Sequence, residues 1–169
     1  MNRRESNDPA ALVDALADPA RRETALRELL ACGPAARPAV RAGLGDGRFE
    51  VRRGCVLWLL RLAEPADLAC LVPLLRDPKS KVRHAAVVAV GIASGAEAVP
   101  LLLERALDDP SLRVRRQAVV LLAWRLAHPD LESFFAQLAA RESDPKLVKW
   151  ARIGAERCRA RPPAAAPRC

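Results

Sequence analysis

The sequence lacks the features that mark several classes of protein. It contains no Tyr, and aromatic residues make up only 4% of the chain. The core must therefore be built from small and branched aliphatic side chains, which favours closely packed helices over a sheet. The longest apolar run, residues 85–93, is too short to span a bilayer. The polar residues 1–8 have no apolar signal core, so we expect a soluble, cytoplasmic protein without a membrane partner.

Motifs for metal binding, nucleotide binding and catalysis are also missing. The five Cys residues form no C-x-x-C pair, and we interpret them mainly as small core side chains. His84 and His128 lie far apart in the chain, and neither is accompanied by a ligand motif. Gly43, Gly45 and Gly47 lack the preceding strand that a phosphate-binding loop requires. The sequence therefore predicts a protein that is not an enzyme and that has no metal, cofactor or catalytic residue.

The chain instead repeats one pattern. Asp46, Asp77 and Asp109 each stand five residues before a Val that is followed by Arg, which gives Val51-Arg52, Val82-Arg83 and Val114-Arg115. A looser copy begins at Asp144-Pro145 and has Val148-Lys149, and a degenerate copy begins at Asp18-Pro19. The successive Asp residues are 28, 31, 32 and 35 residues apart. A near-constant period of this length is typical of stacked helical repeats.

Each repeat reads as two helices joined by a turn. Asp-Pro is a helix-start signal, and the helix that follows, as in residues 82–90, is apolar on nearly all sides. Because one pair cannot bury such a helix, we predict an all-α fold, an armadillo-like α-solenoid of about five helix-turn-helix repeats. The predicted repeats are residues 9–32, 35–62, 65–93, 96–127 and 129–158. Pro73 is expected to kink its helix, residues 1–8 form a polar segment, and residues 159–169 are expected to be a disordered tail rich in Pro, Ala and Arg.

The residues Leu74 to Pro78, Val82-Arg83, Ala85-Ala86 and Gly91 resemble the HEAT repeat, and more narrowly the short version found in phycobilin (PBS) lyase subunits. The resemblance implies a binding scaffold in which Asp and Arg of successive repeats form a ladder. The implied ladder consists of Asp46, Asp77, Asp109 and Asp144 with Arg52, Arg83, Arg115 and Lys149. Lys lacks the fork geometry of Arg, so we expect the last step of this ladder to be the weakest.

Two groups of enzymes with similar architecture bear on the function. Deoxyhypusine hydroxylases carry His-Glu pairs for two irons, and this sequence has no His-Glu dipeptide. Alkylpurine DNA glycosylases built from HEAT-like repeats need a carboxylate beside aromatic side chains, but Trp58, Trp124 and Trp150 stand at different positions within their repeats. Trp58 and Trp124 lie in apolar runs, so we predict that both pack in the core.

The positive charge is concentrated at the helix starts. The windows 46–53, 77–84, 108–116 and 144–152 together carry a net charge of +6, out of +8 for the whole chain. Because equivalent positions recur on one edge of a solenoid, these windows predict a basic ridge. The candidate partner-binding residues on it are Arg53, His84, Arg116, Lys146, Trp150 and Arg152.

The ridge and the resemblance together predict a non-catalytic scaffold or adaptor that binds an acidic surface of an unidentified protein. Two alternatives stay open: contact of the ridge with nucleic acid, and a role as an accessory subunit of an enzyme such as a lyase. Arg outnumbers Lys by 24 to 4. This excess also fits the coding bias of a GC-rich, bacterial genome, so charge alone does not decide between these functions.

Overall fold

A computed structural model gives the fold and describes residues 8–62, 64–93, 95–126 and 128–160. Within these ranges the chain forms ten α-helices and no strand, which confirms the predicted all-α class. The chain divides into two compact units, one ending at residue 94 and the other beginning at residue 95. The predicted polar segment, apart from Asp8, and the predicted tail from residue 161 onward lie outside the described residues.

The N-terminal unit contains six α-helices that pack as consecutive pairs. Helix α1 packs on α2, α3 on α4, and α5 on α6, and α4 also packs against α6. Each pair is thus covered by its neighbour, as expected for helices that are apolar on several sides. The helices are α1 (Pro9–Ala15), α2 (Arg22–Ala31), α3 (Arg37–Gly43), α4 (Phe49–Leu62), α5 (Leu68–Leu71) and α6 (Ser80–Ala93).

The C-terminal unit contains four α-helices arranged by the same rule. Helix α7 packs on α8, α9 packs on α10, and α8 packs against α10. The helices are α7 (Ala98–Asp108), α8 (Leu112–Trp124), α9 (Glu132–Arg141) and α10 (Pro145–Ala160). The exact repeat boundaries drawn from the sequence stay a prediction.

Pro73 marks the place where one helix changes its form. Helix α5 makes a single turn, and the chain continues as a 3-10 helix over Val72–Arg76 that includes Pro73. Pro has no N–H to donate, and its ring clashes with the carbonyl group four residues earlier in an α-helix. The expected distortion is therefore realised as a switch from α to 3-10 geometry.

In each repeat, the Asp side chain accepts a backbone hydrogen bond just before or at the start of the second helix of the pair. The Asp77 carboxylate accepts a hydrogen bond from the Lys79 N–H at 2.8 Å. Because these N–H groups have no partner within the helix, the carboxylates satisfy them and fix the helix starts. The same bond, 2.7 to 2.9 Å long, is made by Asp18 to Ala20, Asp46 to Arg48, Asp109 to Ser111 and, one residue further along, Asp144 to Leu147.

The core consists mainly of aliphatic side chains, as the composition predicts. Val51, Val82 and Val114, the Val residues of the repeated pattern, are fully buried. Trp58 is also fully buried, and its Nε1–H donates to the Leu29 carbonyl oxygen at 2.9 Å. The prediction that Trp58 packs in the core is therefore confirmed, and its one polar group is satisfied there.

The contact between α9 and α10 depends on the absence of a side chain at Gly154. A Cβ atom built there would lie 2.6 Å from the ring of Phe135, which is itself fully buried. Such a contact is shorter than carbon atoms tolerate, and neither the ring nor the helix backbone can withdraw easily.

We expect Gly154→Ala to destabilise the protein by about 1–2 kcal/mol. Alanine favours a helix over glycine by up to ~1 kcal/mol, but forcing extra volume into a packed site costs ~1–3 kcal/mol. The free energy of unfolding, measured by circular dichroism in urea, checks this prediction.

Gly47→Ala is the matched control, because a Cβ atom at Gly47 would meet nothing within 4 Å. We expect its unfolding free energy to stay within ~0.5 kcal/mol of the wild type. If Gly154→Ala were as stable as this control, the close packing of Phe135 on α10 would not be a constraint on the fold.

Candidate binding surface

Arg52 joins two consecutive helix pairs of the N-terminal unit. Its Nε and Nη2 groups donate to the two carboxylate oxygens of Asp77 at 2.6 and 3.1 Å, which is a bidentate contact. Its Nη1 group turns back and donates to the carbonyl oxygens of Asp46 and Gly47 at 2.7 and 3.0 Å. The planar guanidinium group suits both contacts at once, whereas an ammonium group could not reproduce the fork. One side chain thus fixes its own loop and the loop of the next repeat.

The hydrogen bond from the Arg side chain to the carbonyl oxygen of the preceding Asp recurs at each Arg of the repeated pattern. Arg83 Nη1 donates to the Asp77 carbonyl oxygen at 2.8 Å, and Arg115 Nη1 donates to the Asp109 carbonyl oxygen at 3.2 Å. In all three cases the acceptor lies six residues earlier in the chain. The repeated sequence therefore encodes a repeated local contact as well as a repeated helix start.

The contact to the following repeat changes position in the C-terminal unit. Asp144 is bound by Arg116, one residue after the Arg of the pattern, through Nε to Oδ1 at 2.8 Å and through Nη2 to Oδ2. Arg116, predicted as a partner-binding residue, therefore has its guanidinium group engaged within the protein. Lys149 is exposed and forms no hydrogen bond or ion pair with the described residues.

These contacts stabilise the charged form of the carboxylates. The hydrogen bond from the Arg116 side chain lowers the pKa of Asp144 to about 2. The pKa of Asp46 is also lowered to about 2, mainly by the side-chain hydrogen bond from Arg48. A carboxylate that accepts such bonds is favoured over its protonated form, which cannot accept them equally well.

A second Asp–Arg contact, absent from the sequence-based ladder, centres on Asp67. This side chain is fully buried and lies just before α5. It accepts from Arg41 Nε and Nη2 at 2.9 and 2.6 Å, from Arg37 Nη1, and from the Glu64 N–H at 2.9 Å. Burial by itself raises the pKa of Asp67, but the hydrogen bonds from Glu64, Arg41 and Arg37 outweigh it and hold the pKa below its usual range. In the sequence, the only sign of this Asp67 contact is the Pro65-Ala66-Asp67 turn.

We expect Asp67→Asn to destabilise the protein by about 2–4 kcal/mol. The variant removes the Asp67 carboxylate from Arg37 and Arg41, of which Arg37 keeps its ion pair with Glu64. Removing one member of a buried ion pair costs ~3–5 kcal/mol when both are fully desolvated. Arg41 is partly exposed, which reduces the cost. The urea midpoint of unfolding checks the prediction.

Asp130→Asn provides the matched control. Asp130 also lies in a short 3-10 helix that begins with Pro, over Pro129–Leu131, but its side chain is largely exposed. We expect a change below ~0.5 kcal/mol. Equal effects of the two substitutions would show that the contacts of Asp67 with Arg37 and Arg41 do not stabilise the fold.

The stability contributed by Asp144 should disappear in acid. Its pKa of about 2 in the folded protein lies below the value of ~3.9 for an unfolded chain, so folding favours the carboxylate. This contribution is fully present above pH ~4 and is lost as the pH falls through ~2. We therefore expect the gap in unfolding free energy between the wild type and Asp144→Asn to shrink between those values. Urea titrations of both proteins at several pH values measure the gap, and a gap independent of pH would contradict the assignment.

The candidate partner-binding residues lie on two pairs of packed helices. Arg53 on α4 and His84 on α6 are half-buried, and these two helices pack against each other in the N-terminal unit. Lys146 and Arg152 on α10 are exposed, while Trp150 on α10 is half-buried. Their functional role stays a prediction.

The prediction that Trp124 packs in the core is wrong. Trp124 is the last residue of α8, and 58% of its surface is exposed. Its ring meets the ring of Trp150 edge to face, with the centroids 6.3 Å apart. The guanidinium group of Arg157 lies over the Trp124 ring at 4.5 Å. The apolar run that contains Trp124 does not show where packing against α8 ends, and this packing ends before Trp124, the last residue of the helix.

Several cations of the four windows form no ion pair with the described residues, and three of them lie on α10. In the window of residues 46–53, Arg48 is bound by Asp14 and Asp46, and Arg52 is bound by Asp77. By contrast, three cations of α10 make no hydrogen bond or ion pair to any described residue, and they are Lys146, Lys149 and Arg152. Among the described residues, the Arg–Asp contacts thus neutralise part of the charge of these windows. The cations of the windows that stay exposed without an ion pair are Lys79, Lys81, Arg113, Lys146, Lys149 and Arg152.

No other feature of the described residues suggests a reactive centre. A cleft of about 380 Å³ is lined by Ala10, Ala42, Asp14, Asp46 and Arg48, among others, but the Arg48 group already bonds both carboxylates. No group of three or more His, Cys, Asp or Glu suited to a metal ion occurs in the described part of the chain. Among the helices found there, none has both the length and the apolar character needed to cross a membrane.

A family model described as HEAT repeats matches residues 9–91 and 55–123. The overlapping matches extend together over residues 9–123, which is more than half of the chain. No match was found among curated proteins. With the paired helices, the family match confirms the predicted α-solenoid of HEAT repeats. The narrower resemblance to the repeats of phycobilin lyase subunits stays a prediction.

Proposed function

The chain belongs to the HEAT repeat family, and we propose that it is a non-catalytic scaffold that binds an acidic surface of a partner protein. HEAT repeats generally mediate protein–protein interaction. The partner chemistry rests on one observation, which is the row of unpaired cations at the start of α10.

These cations are placed where a partner can reach them. Lys146, Lys149 and Arg152 are all exposed, and their spacing puts them along adjacent positions of one helix. Asp144, the carboxylate at the start of that helix, is bound by Arg116 and forms no ion pair with these three cations. Exposed cations held in a fixed array attract carboxylates and raise the rate at which an acidic partner associates.

The helix packing supports a scaffold because it fixes the backbone that carries this array. α10 packs against both α8 and α9, and the Asp144 side chain fixes its first turn through the Leu147 N–H. A rigid surface loses little conformational entropy on binding, so more of the contact energy appears as affinity. In this region the described residues supply charge and shape. They include no nucleophile paired with a base.

Affinity capture from a lysate of the source organism, with and without nuclease, tests this proposal. We expect the wild type to retain a partner protein after nuclease treatment. The double variant Lys146→Glu with Lys149→Glu should lose that partner, since it replaces attraction of carboxylates with repulsion. Lys146 lies in the first turn of α10, where Glu is favourable, and Lys149 is exposed, so the variant should still fold.

The matched control is Arg61→Glu with Arg141→Glu, which makes the same change in net charge. Both residues are exposed and form no ion pair with the described residues, and neither lies on α10. We expect this control to retain the partner. Loss of all captured proteins on nuclease treatment would instead indicate nucleic-acid contact, and retention by the α10 variant would contradict the proposal.

A further inference from the structure

We propose that α8 and α10 together form a docking groove for one amphipathic, acidic helix of the partner, an inference that rests on the proposed scaffold function. We call this region the α8–α10 groove. Its apolar floor consists of Val120, Trp124, Trp150 and Ile153, and its cations are Arg113, Lys146 and Arg157.

The two helices carry the same spacing of surface residues. Residues 113, 117, 120 and 124 on α8 and residues 146, 150, 153 and 157 on α10 are each spaced i, i+4, i+7 and i+11. This spacing lines up side chains along one face of a helix. Side-chain contacts join the two helices: Arg116 binds Asp144 at the start of α10, and Trp124 meets both Trp150 and Arg157 further along it.

The pair of Trp124 and Trp150 is the feature that suggests a bound partner helix. Trp124 is more than half exposed, whereas Trp58 is fully buried, and Trp150 is half-buried against Trp124. Large exposed aromatic side chains in a fixed arrangement are the residues that contribute most to protein interfaces. Val120 and Ile153 are half-buried and extend the apolar surface along both helices. The groove is therefore a preformed apolar strip and not one isolated side chain.

The length and the charge of the groove define its occupant. From position 146 to position 157, α10 rises about 16 Å, which corresponds to three turns of a helix. Arg113 and Lys146 lie at one end, are exposed, and form no ion pair with the described residues. An amphipathic helix with apolar side chains at i, i+3, i+4 and i+7 fits such a strip, and carboxylates at its end complement the free cations.

The geometry favours a protein helix over single-stranded nucleic acid. Bases bind to aromatic side chains by stacking, which requires open and roughly parallel ring faces. The planes of Trp124 and Trp150 are inclined at 83°, and Arg157 already covers one face of Trp124. The corner between the rings suits an aliphatic or aromatic side chain that inserts from a partner helix.

A fluorescein-labelled peptide of about 16 residues, with Leu at i, i+3, i+4 and i+7 and Glu near both ends, is the probe. Binding is measured by polarisation and by Trp emission, which is simple to interpret because the protein has three Trp and no Tyr. We expect saturable binding and a blue shift. Trp124→Ala should weaken binding by about tenfold or more, and Arg113→Glu with Lys146→Glu should weaken it about as much.

Leu107→Ala is the matched control, because Leu107 is 50% exposed on α7, in the same unit but on neither helix of the groove. We expect less than a twofold change for this variant. A peptide of the same composition with its Leu residues dispersed around the helix should bind about tenfold more weakly or not at all. No binding of the amphipathic peptide, or equal effects of Trp124→Ala and Leu107→Ala, would overturn the proposal.

The same variants separate the groove from the scaffold function. If capture of the partner depends on Lys146 and Lys149 but is unchanged by Trp124→Ala, the scaffold proposal holds and the groove is overturned. A dT oligonucleotide of about 20 residues that binds more tightly than the peptide, in a manner that depends on Trp124, would also overturn the groove in favour of nucleic acid.

Discussion

The guanidinium group of Arg52 bonds at the same time to the loop of its own repeat and to the carboxylate of the next one. A helix pair of this protein cannot bury its own apolar helix, so it depends on a neighbour held at the correct distance and rotation. Apolar packing supplies most of the stabilisation but is weakly directional. The bidentate bond supplies direction, because its donors and acceptors must lie in one plane. Packing and the Arg–Asp contact thus depend on each other.

The same interaction determines which cations of the described residues stay without an ion pair. Arg48, Arg52 and Arg116 are all bound to carboxylates, so much of the positive charge near the helix starts stabilises the fold. On α10, where Lys149 stands in the place of Arg, Lys146, Lys149 and Arg152 form no ion pair with the described residues, whereas Arg159 pairs with Glu132. A departure from the repeated pattern therefore leaves an exposed basic helix. Cations that bind a carboxylate and cations that do not look alike in the sequence and differ only in what lies opposite them.

The aromatic residues show a similar division of roles. Trp58 fills the core and satisfies its N–H on Leu29, as a buried indole must. Trp124 ends its helix in contact with Trp150 and Arg157 and keeps most of its surface in water. The described residues thus place one Trp in the core and another at the exposed end of a helix, beside Arg157.

The sequence by itself determined the helix pairs, the Asp residues that start the second helices and the buried Val of each repeat, because these follow from period and local hydrogen bonding. Only the tertiary structure decided that Arg116 and not Arg115 binds Asp144, that Asp67 is buried and Asp130 exposed, and that Trp124 faces water. Adjacent residues of a helix point about 100° apart, so the choice between them depends on how the helix is rotated against its neighbour. Periodicity tells which residues share a face of a helix, whereas the partner of that face is set by the packing of helices distant in the chain.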